Sequence, residues 1–390
     1  MEKRSVSAII CEFNPLYTGH EKALRFAADN NSSAVVCILS GNFVQRGEPA
    51  LYDKWLRAEA ALRCGADLVI ELPLPWAMSG AESFARGGVY LANALQCSRL
   101  VFGSECGDIS ALTAAANYLN SDTFSADLHS APQEEQILPF AARRELALTR
   151  ALGKDKAQAV QSPNNTLAVE YCKAIASLGS SLQPVTLQRC GAQHDAGLSE
   201  DSASASALRA LILDGNFDEA AKYMPHSSAQ LLRNQSTASL ERLETAVLYR
   251  LRIAKPKDFI DIPEVGEGIE NRILKAAETA ASLDELYTMI KSKRYSHARI
   301  RRIVLSFFLG ICTPIGLPPY LRVLGMNQTG AELLRNASLP VLTRVSQLHG
   351  MPEECRKLFE LESAADDIYA LAFEKRKAAG NNQRHGIILL

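Results

Sequence analysis

Residues 6–20 read VSAIICEFNPLYTGH, and the fold is predicted outward from them. The first six form an apolar run that is typical of a buried strand. The Asn-Pro pair at 14–15 is typical of a turn, and the Gly-His pair at 19–20 is expected to open a helix. The stretch therefore predicts a strand, a turn and a helix in direct succession.

The residue types in this corner suit a phosphate group. A helix N-terminus offers unpaired N–H groups and a partial positive charge. Gly19 lets the backbone approach a ligand closely, His20 adds a donor that can become cationic, and Lys22 follows on the helix. The corner predicts an ATP site, although an ordinary corner with a surface histidine fits the same residues.

Further apolar runs predict a parallel sheet. Strands are expected at 34–39, 67–72, 99–103 and 184–189, separated by helices at 19–29, 53–64, 83–95 and 167–178. Short apolar strands alternating with helices indicate an α/β fold with a Rossmann-like parallel sheet. Ligands in such folds lie beyond the carboxyl ends of the strands, so the polar segments that follow each strand are expected to form the pocket.

After residue 206 the pattern is helical to near the end of the chain. The sequence therefore predicts an ATP-binding nucleotidyltransferase-like domain at 1–212 and a mainly α-helical C-terminal domain at 213–390.

Composition excludes several classes of protein. Of 390 residues, 47% are apolar and 22% charged, with a formal net charge of −1, so any nucleic-acid surface must be local. The nine cysteines are scattered without a Cys-x-x-Cys pair, which favours a reduced cytoplasm and argues against zinc. No signal peptide or membrane span is expected, and no protein partner is implied.

A second candidate phosphate site lies at residues 204–209, SASALR. Ser206 suits a helix N-cap, and Arg209 would then lie on the first turn, where its guanidinium could stabilise charge on departing pyrophosphate. A plain N-cap with a surface arginine is the alternative. Together with the Gly-His corner, the segment predicts two helix N-termini that hold one nucleotide from opposite sides.

Other polar residues are weaker candidates. Gln45 and Arg46 follow the second strand and could reach a phosphate, or could belong to a tight surface loop. Lys54 and Arg57 could add positive charge or could only be solvated. Asn164 and Asn165 are expected to cap a helix and could also bind a ribose or an adenine edge, whereas His194 is more simply an exposed loop residue.

Residues 291–302, KSKRYSHARIRR, contain six Lys or Arg and no acid. This density predicts a local surface for RNA, on which Tyr295 could stack on an unpaired base. A solvated basic helix face is the alternative. The candidate RNA-binding residues are Lys291, Lys293, Arg294, Tyr295, Arg299, Arg301 and Arg302.

These motifs resemble a known family. The corner and the Ser-x-x-Arg element resemble the nucleotidylyltransferase branch of the HIGH-motif superfamily. The segments SGNFVQRGEP (40–49), GADLVIELP (65–73), FGSE (102–105), PNNTL (163–167) and KRYSHARIRR (293–302) are similar, in this order, to bacterial tRNA(Met) cytidine acetate ligase.

The resemblance implies that ATP activates acetate as acetyl-AMP, and that the acetyl group passes to N4 of the wobble cytidine, position 34, of elongator tRNA(Met). It implies Mg²⁺ arriving with ATP, and no metal site in the protein. The implied catalytic residues are His20, Arg46 and Arg209. The implied ATP-binding residues are Ile10, Cys11, Glu12, Phe13, Asn14, Pro15, Tyr17, Thr18, Gly19, His20, Lys22, Gly103, Asn164, Asn165, Arg189, Ser206 and Arg209.

The sequence departs from the family at residue 17, where the corner usually has a histidine and this chain has a tyrosine. A tyrosine hydroxyl can donate a hydrogen bond but supplies no positive charge near neutral pH. Two other hypotheses are therefore kept: an adenylyltransferase that makes a dinucleotide cofactor from ATP, and a non-catalytic RNA-binding relative.

Overall fold

A mostly parallel sheet forms the centre of the molecule in the computed structural model, which describes residues 5–29, 32–138, 140–189, 203–292, 295–313 and 316–390. The strands are β1 (Val6–Cys11), β2 (Ala34–Ser40), β3 (Phe43–Val44), β4 (Glu48–Pro49), β5 (Leu68–Leu72), β6 (Arg99–Ser104), β7 (Gln183–Gln188), β8 (Leu321–Met326), β9 (Val341–Leu342) and β10 (Ile388–Leu389). The sheet has the order β10-β8-β5-β2-β1-β6-β7, with β9 paired to β8.

The predicted strands are confirmed with ends shifted by about one residue, and they pair in parallel. Strand β1 lies between β2 and β6, while β5 and β7 extend the sheet on either side. Chain order reverses direction at β1, so the crevice beyond its carboxyl end, between β1 and β6, is where an open α/β sheet binds ligands.

The helices that follow these strands cover both faces of the sheet. In chain order they are α1 (Thr18–Asp29), α2 (Lys54–Arg63), α3 (Leu74–Ala77), α4 (Ala81–Ala94), α5 (Ile109–Leu119), α6 (Asp122–His129), α7 (Gln133–Gln136), α8 (Phe140–Leu152), α9 (Lys154–Ala159) and α10 (Pro163–Ser177). Side chains of α4, α5 and α10 pack on one face, and those of α1 and α2 pack on the other. Burial on both faces explains why β1 and β2 are continuous apolar runs.

The later residues are mainly helical, as predicted. Their helices are α11 (Ala205–Leu213), α12 (Phe217–Ala221), α13 (His226–Leu232), α14 (Glu244–Arg252), α15 (Ile269–Thr279), α16 (Leu283–Ile290), α17 (His297–Leu309), α18 (Gln328–Leu333), α19 (Glu353–Tyr369) and α20 (Asn381–Arg384). Helices α14 to α17 share a second apolar core with α19, and Phe43 of the β3–β4 hairpin is buried in it.

One part of the helical prediction is wrong, because β8 and β10 join the central sheet from beyond residue 213. Strand β8 pairs antiparallel with β5, and β10 pairs parallel with β8. The run LRVLGM at 321–326 is short and almost wholly buried. An apolar run of this length does not distinguish a strand from a buried helical turn.

Among the described helices, none combines the length and the apolar character that a membrane crossing would require.

Candidate active site

A buried arginine holds the polar segments together at the carboxyl ends of β1 and β2. The Arg57 guanidinium donates to the carbonyl oxygens of Tyr52 (2.9 Å), Glu12 (2.7 Å) and Ser40 (3.0 Å). Its side chain is fully buried, so the alternative of a solvated cation is wrong for Arg57. The donor fork of arginine matches carbonyls that leave the sheet in different directions, and it thereby sets the shape of the corner.

Lys54 is also buried, against the prediction of a surface cation. Its ammonium group lies 2.8 Å from Glu71 Oε1 and 3.0 Å from Asp366 Oδ2, and it donates to Asn382 Oδ1 at 3.0 Å. Burial disfavours the charged amine, but attraction to Asp366 and Glu71 outweighs it and raises the pKa of Lys54. This cluster ties the start of α2 to α19 and α20.

Tyr17 and His20 face each other across Gly19 in the predicted corner. Their ring centroids are 4.1 Å apart, and the ring of Phe13 lies 5.1 Å from that of His20. A Cβ at residue 19 would come within 2.6 Å of Tyr17 Cε2. Glycine is therefore required at position 19 by the tyrosine ring as well as by any ligand.

Arg189 reaches the same corner from the end of β7. Its guanidinium donates to the Tyr17 hydroxyl at 3.2 Å, and its aliphatic stem passes over Gly103, where a Cβ would lie 3.2 Å from Arg189 Cγ. The structure thus brings together three of the residues that the sequence assigned to ATP. It also places the Arg189 guanidinium beside Tyr17, the residue that supplies no positive charge where the family usually has a histidine.

The surroundings of His20 favour its neutral form. Burial, reinforced by the positive charge of Arg189, lowers the pKa of His20 to about 3. The prediction of a histidine that becomes cationic does not describe this state, because the nearby guanidinium opposes a second positive charge. A neutral imidazole can still donate one hydrogen bond to a phosphate oxygen.

Helix α11 supplies the opposite wall, with one correction to its start. The N-cap is Ser204, whose hydroxyl accepts from the N–H of Ala207, so Ser206 lies in the first turn. Ser206 Oγ accepts from Arg46 at 3.1 Å and from Arg209 at 3.3 Å. The Ser206 hydroxyl therefore accepts hydrogen bonds from two guanidinium groups whose segments are about 160 residues apart in the sequence.

Arg209 also contacts the Gly-His corner itself. Its guanidinium donates to the carbonyl oxygen of Asn14 at 3.0 Å and lies 3.2 Å from the Glu48 carboxylate. The two predicted helix N-termini therefore belong to one site. This arrangement is what a ligand with several negative charges requires.

Several buried polar atoms around the corner have no hydrogen-bond partner in the described part of the chain. They include Asn14 Nδ2, His20 Nδ1 and Gln45 Nε2. Buried donors without acceptors cost about 1–3 kcal/mol each, so their clustering indicates a place for a ligand rich in acceptors. The Glu12 carboxylate, whose pKa is raised by burial, accepts from Gln45 N at 2.8 Å and fixes that loop.

Five further residues assigned to ATP lie in the core, in the turn or at the edge of the corner. Cys11 is buried and Ile10 packs on α4, where a Cβ at Gly88 would come within 2.4 Å of its Cδ1. The N–H of Thr18 donates to the carbonyl of Tyr223, and Pro15 follows a cis peptide bond. Lys22 is exposed one turn along α1.

Asn164 and Asn165 are held by Glu105 at the end of β6. The Glu105 carboxylate accepts from the Ser162 hydroxyl at 2.7 Å and from the N–H of Asn165 at 3.0 Å, and it also accepts from the Asn164 side chain. Asn165 is buried, and its Oδ1 accepts from the N–H of Glu105. The N-cap of α10 is Ser162, so neither asparagine caps the helix.

The β3–β4 hairpin joins the corner to α17. Gly47 has φ +72°, and a Cβ there would lie 2.7 Å from the backbone of Arg301. Arg302 binds Glu264 through two contacts of 2.6 and 2.7 Å and donates to the carbonyl of Gln45 at 3.4 Å. The hairpin is therefore in contact with the nucleotide corner on one side and with α17 on the other.

The basic segment does not present the face that the sequence predicted. Tyr295 is 3% exposed and donates to the carbonyl of Glu267, so it is not available to stack on a base. Arg299 donates to the carbonyl of Glu264, and the Arg301 guanidinium lies over the Tyr287 ring. Lys291 is exposed, whereas Lys293, Arg294 and His194 lie outside the described residues.

The described residues contain no group of three His, Cys, Asp or Glu side chains that could hold a metal ion.

Comparison with known proteins gives the family. The model of the HIGH Nucleotidyl Transferase family matches residues 4–384. A tRNA(Met) cytidine acetate ligase of Clostridium perfringens is 37% identical over 94% of this chain and 95% of its own length. One from a Thermoanaerobacter species is 37% identical over 99% of this chain and 100% of its own length. This chain belongs to the tRNA(Met) cytidine acetate ligase family of HIGH nucleotidyl transferases.

Solved structures agree with this assignment. Apo TmcAL of Thermotoga maritima superposes with a TM-score of 0.93 at 28% identity, over 99% of each chain. The same protein bound to alpha-thio ATP gives a TM-score of 0.91 at 29% identity, again over 99% of each chain. Membership of the family and the α/β fold are therefore confirmed.

Proposed function

We propose that this protein uses ATP to activate acetate as acetyl-AMP and then acetylates N4 of the wobble cytidine, position 34, of elongator tRNA(Met). The single observation that carries the proposal is the convergence of Arg46, Arg189 and Arg209 on one corner with unpartnered buried donors. Triphosphate is the acceptor-rich anion that fits such a corner. The names of the relatives and the ATP analogue bound to TmcAL support this choice.

The residues divide into two groups around the proposed triphosphate. His20, Tyr17 and Arg189 lie on the side of β1 and β7, whereas Arg46, Ser206 and Arg209 lie on the side of α11. We assign His20, Arg46 and Arg209 to catalysis, because guanidinium and imidazole donors stabilise charge that accumulates as pyrophosphate leaves. Mg²⁺ is proposed to arrive bound to the phosphate oxygens of ATP.

The first step requires no general base. Acetate is already an anion at neutral pH, and one of its oxygens attacks the α-phosphorus while the bond to pyrophosphate breaks. Positioning the two anions and neutralising their charge are the protein's main tasks. The net positive corner performs both tasks.

The second step transfers the acetyl group. N4 of the cytidine attacks the acetyl carbon, the bond to AMP breaks, and N4 loses one proton. The acyl phosphate bond supplies the driving force, so a covalent intermediate on the protein is not needed. Since the substrate is tRNA, the reaction is proposed to take place in the cytoplasm.

The proposal is tested by pyrophosphate exchange into ATP with and without acetate, followed by mass spectrometry of tRNA(Met) for N4-acetylcytidine. We expect exchange that depends on acetate, and acetylation that depends on both acetate and ATP. Exchange that requires a phosphorylated acceptor instead would identify a cofactor-forming adenylyltransferase. Absence of exchange with any acceptor, together with retained tRNA binding, would identify a non-catalytic relative.

A variant pair makes the test specific to the corner. Arg209→Ala removes the contacts to Asn14 and Ser206 and is expected to lower exchange by at least about two orders of magnitude, because it removes a charge-assisted donor. Arg233→Ala removes a surface arginine whose partner is Asp218, so it is expected to leave exchange unchanged.

A further inference from the structure

Helix α14 presents an exposed face that combines cations with large apolar side chains. Residues 245–257 read TAVLYRLRIAKPK and contain four Lys or Arg and no acid. Val247, Leu248 and Leu251 point into the helical core. The opposite side exposes Tyr249 by 64% and Ile253 by 52%, and Ile260 beyond the next turn is 76% exposed.

The cations of this face are not neutralised within the described residues. Arg250, Arg252, Lys255 and Lys257 form no ion pair there. The nearest acid in the sequence, Asp258, accepts from the backbone N–H of Lys255. The patch therefore keeps a local excess of positive charge in a protein whose formal net charge is −1.

Two of the cations are held in place without losing their charge. The Arg252 guanidinium donates to the carbonyl oxygens of Ala277 at 3.2 Å and Ala280 at 2.9 Å. Arg250 lies over the Phe307 ring, 5.0 Å from its centroid. Such arginines are preorganised donors, so less conformational entropy is lost when they contact a ligand.

The patch is connected to the candidate active site through the packing of one helix. Arg250 of α14 rests on Phe307 of α17, and α17 in turn contacts Gly47 of the β3–β4 hairpin. In the order of packing, α17 is therefore the one helix between α14 and the hairpin.

We propose that this face, defined by Tyr249, Arg250, Ile253, Lys255 and Lys257, binds the RNA substrate. The lysines and Arg250 contact phosphates, and Tyr249 stacks on an unpaired base. Charge complementarity favours RNA over a second copy of this chain, because four cations without an ion-pair partner among the described residues disfavour a like surface. The inference rests on the proposed function and replaces the inward-facing arginines of α17 as the main RNA contact.

The test measures binding of transcribed tRNA(Met) by fluorescence anisotropy at several salt concentrations. Lys255→Ala plus Lys257→Ala is expected to weaken binding about tenfold and to lower the slope of log affinity against log salt by about 1–2. Lys154→Ala plus Lys156→Ala is the matched control, because these lysines are exposed on α9 with the same spacing. The control is expected to bind like the unmodified protein.

The aromatic contact is tested separately. Tyr249→Ala is expected to weaken binding about tenfold, whereas Tyr249→Phe keeps the ring and is expected to retain affinity. Acetate-dependent exchange measured without tRNA should be unchanged in every patch variant, which separates a failed surface from a failed enzyme. If the unmodified protein shows no acetate-dependent exchange, the proposed function is rejected independently of the patch.

Two outcomes would overturn the surface. Normal tRNA affinity in both the lysine and Tyr249→Ala variants would exclude it. A change in sedimentation of the variants with unchanged RNA affinity would assign the patch to contacts between copies of the chain. Loss of affinity in the lysine variant alone would reject the stacking role of Tyr249.

Discussion

Tyr17 stands where the family usually has a histidine, and its contact with Arg189 predicts how the corner tolerates this replacement. Removing the hydroxyl by Tyr17→Phe deletes the acceptor that holds the Arg189 guanidinium at 3.2 Å. Hydrogen bonds to charged groups are worth about 1.5–3 kcal/mol, and this distance lies at the long end of the range. We therefore expect a loss of about 1.5 kcal/mol.

That loss corresponds to about a tenfold decrease in kcat/KM. The assay is acetate-dependent pyrophosphate exchange with ATP varied and acetate saturating. If Arg189 contacts charge that develops on leaving pyrophosphate, the decrease appears in kcat rather than in KM. Tyr249→Phe, which removes an exposed hydroxyl on the outer side of α14 and touches no described residue assigned to the corner, is the control and is expected to exchange at the normal rate.

The converse change is expected to bring no gain. In Tyr17→His the new imidazole would be buried beside Arg189, and burial, reinforced by that positive charge, already lowers the pKa of His20. The new ring would stay neutral for the same reason, so it would add no charge to the site. A rate increase above about threefold in Tyr17→His, or an unchanged rate in Tyr17→Phe, would refute the assignment of Arg189 as the compensating cation.

The remaining predictions concern the contacts that support the site. Gly47→Ala should lower the free energy of unfolding by more than about 2 kcal/mol in denaturant titrations, because it adds a backbone clash to a left-handed φ. Gly310→Ala, with φ +74° in the left-handed helical region and open space around its Cβ, should lose only about 1 kcal/mol, and equal losses would contradict the clash. Arg302→Ala should lower the free energy of unfolding by about 1–3 kcal/mol, because Glu264 and the hairpin lose their partner. It should also lower the rate of exchange without tRNA, and a normal rate would show that Arg302 does not support the hairpin. Burial, with Glu71 nearby, raises the pKa of Glu362 from its ordinary value of 4.5 to about 8, so the stability that this protonated carboxyl contributes is complete below about pH 4.5 and is lost as the pH rises through 8. The unfolding midpoint should fall over that window, and Glu362→Gln should flatten the fall; an identical pH profile would exclude this group.

The parallel strands in the first half of the chain were predictable from the sequence. A strand that is buried on both faces is a continuous apolar run, and such runs are easily recognised. Strand β8 was not predicted, although it is equally buried. Its run is followed by helical residues and pairs with β5 from more than 250 residues earlier. Local sequence carries no information about a partner that distant.

The start of α11 shows a finer limit. Serines alternate through 202–206, and each is a good N-cap. The structure uses Ser204 as the cap, which turns Ser206 toward Arg46 and Arg209. Packing of α11 against the corner makes that choice, and helix propensity alone cannot.

Cations were the least predictable residues. Lys54, Arg57, Arg299 and Arg302 have the composition of surface charges, yet each is used within the protein. Their acceptors are backbone carbonyls, carboxylates and an amide oxygen that lie in other segments of the chain. The number of charged residues in a segment says nothing about their burial or their partners. Only the structure shows that these side chains bind other parts of the protein.

The Lys54 cluster has a consequence for how the protein is made on the ribosome. The buried Lys54 ammonium group donates to Asn382, which lies 328 residues later in the chain. A nascent chain therefore carries Lys54 long before Asp366 and Asn382 are synthesised, so this buried cluster is completed only when most of the chain has left the ribosome. A chain that stops before Asp366 would leave the ammonium group with Glu71 as its remaining partner in the cluster. We expect such truncated products to be destabilised at the start of α2.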